Sequence, residues 1–177
     1  DFETGRMDSC KSIGNDTFLV TLIPESTPIN SSPWYAFKIT SQERTTIKII
    51  MQVKGDVHRY PPKISRNNSP WQLQAYKLND DKLTMTVAVS EQPTIIAGQE
   101  IINNQYYIDW AKKLSRQASK KSNISHQIIG KSSQGRPLYK IESKGNSNEW
   151  LVIFGRMHPP EVTGALALFP FVETLLS

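Results

Sequence analysis

The spacing of apolar side chains changes once along this chain. Up to Ala97 they recur at every second residue, most clearly in Thr45-Thr-Ile-Lys-Ile-Ile-Met-Gln-Val53 and Lys82-Leu-Thr-Met-Thr-Val-Ala-Val89. From Ile101 they recur at helical spacing, at Ile101, Ile102, Tyr106, Trp110 and Leu114. A period of two lines one face of a strand, and a period near 3.6 lines one face of a helix. The change places a domain boundary near Ala97-Gly98, with residues 1–97 as an antiparallel β-sandwich and residues 98–177 as an α/β segment.

The first part holds further strand candidates. Thr17 to Ile23 is β-rich and stops at Pro24, Trp34 to Thr40 alternates, and so does Trp71 to Tyr76. Asn79-Asp80-Asp81 reads as a turn. His58 to Asn68 contains Pro61 and Pro62 and reads as a loop or sheet edge, because proline cannot donate to a ladder. Short strands at this spacing, divided by Pro, Asn, Ser and Gly, suggest a sandwich. Trp34, Trp71 and Tyr60 could stack on sugar rings if exposed; core positions are the preferred reading.

The second part opens with an amphipathic helix of about four turns that ends before Ser122. Two strands follow, Ile124 to Gly130 and Pro137 to Ser143, joined by the turn-rich Lys131-Ser-Ser-Gln-Gly135-Arg136. Leu151-Val-Ile-Phe154 is a short apolar run of the kind that makes a buried strand. Beyond Glu161 the sequence is helix-like and apolar to Ser177.

Composition bounds the partners. Net charge is +5, and the excess lies chiefly in Lys112, Lys113, Arg116, Lys120 and Lys121. These residues read as the polar face of one helix; no aromatic platform interleaves them, so nucleic acid is not expected. No apolar run approaches the ~18 residues of a membrane span. The chain opens on Asp1-Phe2-Glu3-Thr4 with no signal peptide pattern, and the missing Met suggests a processed or trimmed start. Cys10 is the lone cysteine, which excludes an internal disulfide and reads as a spectator. A soluble protein, of the cytoplasm or periplasm, is expected.

The chemistry concentrates at Gly155-Arg156-Met157-His158-Pro159-Pro160-Glu161. His158 and Glu161 stand three apart at a turn entering a helix. An imidazole nitrogen and a carboxylate oxygen there can point at one zinc ion. Pro159 and Pro160 fix φ between them, and Pro160 suits the first turn of the helix. Taken as residues alone, the pair is a weak metal signal, since H-x-x-E pairs occur by chance, and a surface turn closed by a His–Glu hydrogen bond is the preferred reading. Other candidates are weaker: His126 lies in an alternating strand and reads as structural, and His58 lies in a loop with no acidic residue at metal spacing. No P-loop, G-x-G-x-x-G or Ser-His-Asp set is present.

The string from Gly155 to Glu161 resembles the first zinc motif of the zinc carboxypeptidases of the carboxypeptidase A superfamily. Its Arg-x-His-Pro-x-Glu form is similar to the cytosolic-carboxypeptidase branch and its bacterial relatives. Gly130-Lys-Ser-Ser-Gln-Gly135-Arg136-Pro137-Leu138 resembles the G-x-S-x-x-G-R-P segment that precedes that motif. Phe2-Glu3-Thr4-Gly5-Arg6 and Trp34-Tyr35-Ala36-Phe37 resemble parts of the β-sandwich that precedes the catalytic domain in that branch, so the likeness runs through the whole chain. It implies that 98–177 is the opening portion of an α/β zinc-carboxypeptidase domain, with His158 and Glu161 as two zinc ligands. It also implies a substrate of peptide or protein C-termini. The third ligand His, the general-base Glu and the Arg that holds the substrate carboxylate are implied beyond residue 177. Arg156 is a local candidate for steadying the site, with no role following from its position alone.

Two other functions stay open at this point. Residues 1–97 could be a non-catalytic glycan- or protein-binding module, or the chain could be kin to H-x-x-E zinc amidoacylases. The chain is expected to be an inactive fragment by itself. Leu166, Leu168, Phe169, Phe171, Val172, Leu175 and Leu176 leave the last helix almost no polar face, so burial is expected. The remainder of the catalytic domain, or another chain packing on 161–177, would supply it.

Overall fold

The computed structural model describes residues 2–24, 28, 31–118, 124–143, 145–158 and 160–176. It divides into two compact units, Asp1–Ile101 and Ile102–Ser177. The first unit carries β1 (Ser9–Ser12), β2 (Thr17–Leu22), β3 (Ala36–Ile39), β4 (Thr45–Val53) and β5 (Lys63–Arg66), followed by β6 (Gln72–Leu73), β7 (Lys77–Asn79), β8 (Lys82–Val89) and β9 (Thr94–Ala97).

These strands form a five-stranded sheet, β1-β2-β4-β8-β7, and a four-stranded sheet, β3-β9-β5-β6. β4 and β8 pair antiparallel and set Ile47 opposite Val87, Ile49 opposite Met85 and Met51 opposite Leu83. All six side chains are buried, because strict alternation sends every second residue of both strands to one face. From the other sheet, Tyr35, Phe37, Ile64 and Ile96 enter the same core. Two sheets closing on one apolar layer make the β-sandwich that the alternation implies. One described ladder is parallel: β2 lies alongside β4, with Val20 beside Met51 and Leu22 beside Val53. The remaining described ladders in this unit are antiparallel.

Four strands were not legible from periodicity, namely β1, β5, β7 and β9. Lys63–Arg66 falls inside the stretch expected to be a loop or edge, yet β5 pairs with both β9 and β6. Pro61 and Pro62 end before the ladder begins, so no proline interrupts it. Trp71 to Tyr76 is not one strand: only Gln72–Leu73 pairs there, and Lys77–Asn79 joins the other sheet. Asp80, at φ +52°, makes the expected turn into β8.

Trp34, Tyr35 and Tyr60 are tied into this unit by hydrogen bonds, whereas Trp71 is half-buried and Tyr76 exposed. Trp34 is buried and its indole N–H donates to the Thr4 carbonyl at 2.8 Å. The Tyr35 hydroxyl donates to the Tyr60 carbonyl at 3.0 Å, and burial pushes its pKa up. The Tyr60 hydroxyl lies 3.3 Å from that of Ser32. A Cβ at Gly98 would come within 3.1 Å of Tyr60 Cβ and 3.2 Å of Tyr35 Cε1. Tyr35 is held in the buried core, so Gly98→Ala is expected to cost about 1–3 kcal/mol by overpacking. Urea unfolding of the two proteins checks it; unchanged midpoints would show that the rings yield freely.

In the second unit, α1 (Asn104–Ala118) is followed by β10 (Ile124–Lys131), β11 (Pro137–Ser143) and α2 (Val162–Leu175). Asn103 caps α1 by accepting from the Tyr106 amide at 2.9 Å. Ile102, Ala111 and Leu114 are buried while Lys112, Lys113 and Arg116 face outward, as the helical spacing implies. Lys120 and Lys121, the rest of that basic group, lie outside the described residues, as does Ser122. β10 and β11 form an antiparallel hairpin with an irregularity between Ile128 and Gly130. Its turn is closed by Ser132, whose amide donates to Arg136 O and whose Oγ accepts from the Arg136 amide. Gly135 supplies the φ of +76° that this turn needs.

Leu151–Phe154 departs from expectation. It forms no strand, and its side chains are exposed, Leu151 by 74% and Phe154 by 77%. A strand exists only by pairing, and the two described strands of this unit pair with each other. The last helix departs likewise. Of the seven apolar residues expected to be buried there, only Phe169 is; Leu166, Phe171 and Leu175 are exposed. Phe169 packs against Tyr106, Tyr107 and Trp110 of α1 at centroid distances of 4.9–5.3 Å.

Candidate metal centre

The turn before α2 brings His158 and Glu161 together. Glu161 is the N-cap of α2, with the helix starting at Val162. Its amide donates to the His158 carbonyl at 3.1 Å, which folds the two residues into one turn. His158 Nδ1 then lies 2.7 Å from Glu161 Oε1, and the His158 amide donates to Glu161 Oε2 at 3.2 Å. Pro160 is buried and precedes the N-cap, so it is not in the first helical turn as expected. Pro159 lies outside the described residues.

Electrostatics favour an ionised carboxylate. The hydrogen bond from the His158 ring, with that from its backbone N–H, holds the Glu161 carboxyl below its ordinary pKa. Both side chains are open to solvent, the imidazole by 61% and the carboxylate by 50%. The pair is therefore a weak, screened contact in energetic terms, and its exposure leaves room for a ligand. The 2.7 Å contact is a direct His–Glu hydrogen bond that closes the turn, and it is made by two side chains of the types zinc takes, an imidazole and a carboxylate. Among the described residues, no three or more His, Cys, Asp and Glu side chains gather as a metal cluster.

The other histidines stay apart from this site. His58 Nε2 lies 3.0 Å from the Met51 carbonyl. His126 stacks on Tyr139 with centroids 4.9 Å apart, and its Nε2 is buried without a hydrogen-bond partner. Cys10 is exposed. Arg156, the local candidate for steadying the site, directs its Nη1 to the Ile102 carbonyl. Two glycines escaped the sequence reading. A Cβ at Gly155 would lie 2.7 Å from Leu168 Cδ2, and one at Gly164 would lie 3.4 Å from the Arg156 nitrogen. The flanking of the donor pair by glycine on both sides was the one visible signal of this close packing.

No protein-family model matches the chain, and no curated protein matches it. Solved structures do. A candidate carboxypeptidase A from Shewanella denitrificans OS-217 superposes with a TM-score of 0.68 at 16% identity, over 84% of this chain and 39% of its own. A metallo-carboxypeptidase from Burkholderia cenocepacia gives 0.65 at 12% identity, over 80% of this chain and 38% of its own. A metallo-carboxypeptidase from Pseudomonas aeruginosa, solved with (2-guanidinoethylmercapto)succinic acid, gives 0.58 at 15% identity, over 80% and 38%. The chain thus spans well under half the length of the structures it matches. The β-sandwich and the helix–hairpin–helix unit after it together have a carboxypeptidase-like fold, shared with part of these bacterial metallo-carboxypeptidases.

Proposed function

We propose that this chain is part of a zinc metallocarboxypeptidase that removes C-terminal amino acids from peptides or proteins, with His158 and Glu161 as two of the zinc ligands. The convergence of His158 Nδ1 and Glu161 Oε1 to 2.7 Å carries the reading. The fold shared with metallo-carboxypeptidases supports it. Zinc, when bound, polarises a peptide carbonyl and acidifies water. Glu161 brings the negative charge, and its place as N-cap fixes it to the start of α2. His158 brings the neutral nitrogen. The domain reading of 1–97 as sandwich and 98–177 as the start of the catalytic domain belongs to the same proposal.

A catalytic zinc normally has three protein ligands. Two donors in this chain are expected to bind zinc weakly and to give no peptidase turnover. The exposed apolar side chains of Leu151–Phe154 and of α2 support a further element of the reading. We infer that more protein, either the rest of the catalytic domain or a second copy, packs on 161–177, since contiguous apolar surface of this kind marks interaction sites.

Zinc titration of the 177-residue chain, followed by the imidazole NMR signals of all three histidines, tests the assignment. His158 is expected to shift while His58 and His126 stay, and C-terminal amino acids are not expected to be released from test peptides. A zinc response confined to His58 or His126 would remove the assignment, and rapid turnover would show a ligand set complete within this chain.

A further inference from the structure

We propose that Arg156 is the positioning residue of this centre, holding the turn that carries His158 against both helices of its unit; the inference rests on His158 and Glu161 being metal donors. Arg156 has φ +51°, in the left-handed region. A side chain with a Cβ seldom adopts that conformation, and it persists only where its surroundings fix it. Glycine would fit the same backbone without strain, so arginine at this position calls for a side-chain reason. That reason is the guanidinium, whose Nη1 donates to the Ile102 carbonyl. Ile102 is itself buried, just ahead of the Asn103 cap of α1, so the acceptor is a fixed point.

The other side of the same segment rests on α2. Gly164 and Leu168 are one turn apart and share a face of that helix. Gly164 lies in ordinary contact range of the Arg156 backbone, and Leu168 closes tightly over Gly155. Residues 155–156 therefore cross the first turns of α2 and are tied to the entry of α1 by one side chain. His158 follows two residues later, and Glu161 belongs to α2 as its N-cap. The Arg156 guanidinium thus sets where the His158 half of the donor pair sits relative to the half fixed on the helix. Groups that orient ligands without touching the metal commonly change its affinity by ~10–100-fold.

The test compares Arg156→Ala, Arg156→Gly and Arg156→Lys in the 177-residue chain. Zinc affinity is read from the His158 imidazole signals, and the folding of α1 and α2 from amide exchange. Alanine and glycine are expected to weaken zinc by about tenfold, and lysine, whose ammonium can still donate to the Ile102 carbonyl, is expected to recover most of it. Glycine separates the two roles of the position. It relieves the backbone, so a merely structural arginine would be replaced without loss of zinc. Parent-like affinity in the alanine and glycine variants overturns the proposal, as does failure of both to fold, which would assign Arg156 to stability alone. If the parent shows no zinc response at His158, the metal reading itself falls. The zinc-free chain then still decides the role of Arg156: contact between the His158 ring and the Glu161 side chain that survives unchanged in Arg156→Ala overturns it, and its loss supports it.

Discussion

Phe169→Ala is expected to destabilise the second unit by about 3–5 kcal/mol, while β4 and β8 keep their protection against amide exchange. Phe169 is the one large α2 side chain buried in the unit, and three aromatic rings of α1 close around it. Deleting it removes a large buried area together with the edge and tilted ring contacts. The other buried side chains of the helix, Val162 and Ala165, are small. Leu166, Phe171 and Leu175 face outward, and Pro170 deprives the helix of one internal hydrogen bond. The 3.0 Å bond from Trp110 Nε1 to Glu173 is exposed and cannot hold α2 alone. Whole domains are stable by roughly 5–15 kcal/mol, so a loss of this size takes a large share of the total and should speed exchange throughout α1 and α2. Exchange in α1 and α2 that stays as slow as in the parent would show that the aromatic cluster is not their anchor.

His158→Ala and Glu161→Ala are each expected to weaken zinc binding by at least about 100-fold, beyond the ~10–100-fold typical of outer-shell partners. Either substitution leaves a single donor, and one imidazole or one carboxylate on an exposed turn holds zinc only feebly. Glu161→Gln is the more searching change. It keeps the shape of the side chain and an oxygen that can accept from the His158 amide, but it removes the charge, so zinc binding should fall almost as far as with alanine. Isothermal titration beside circular dichroism would check all three. Zinc affinity that survives in both alanine variants would mean that the ion sits elsewhere.

Much of this was readable in advance, for reasons that differ by element. Ile47, Ile49, Met51 and Val53 alternate without a fault, so β4 had matching bounds in sequence and structure. Pro137–Ser143 was equally clear. β1, β5 and β9 are four residues each, too short to display a period, and the partners of β9 are distant in sequence. Leu151–Phe154 misled because an apolar run records what a segment would prefer to bury, not whether a neighbour is present to bury it. The donor pair was visible because both donors lie within four consecutive residues. Arg156 was half visible. Its presence beside the pair could be noted, but a left-handed backbone at a non-glycine residue and a hydrogen bond back to Ile102 are products of packing that no local pattern carries.

The parallel pairing of β2 with β4 bears on how the protein is made. Between those strands the chain crosses to the other sheet as β3, whose ladder partner is β9, Thr94–Ala97. A ribosome delivers the chain from its first residue onward, so β2 and β4 can meet early while β3 waits for a segment more than fifty residues behind it. Non-local pairings of this kind are slow because a long loop must close before any contact repays it. During that interval Tyr35 and Phe37, which end up in the core, have no sheet to enter. Emergence of Ala97 is therefore the event that closes the sandwich, and it comes before the apolar residues of the second unit leave the tunnel.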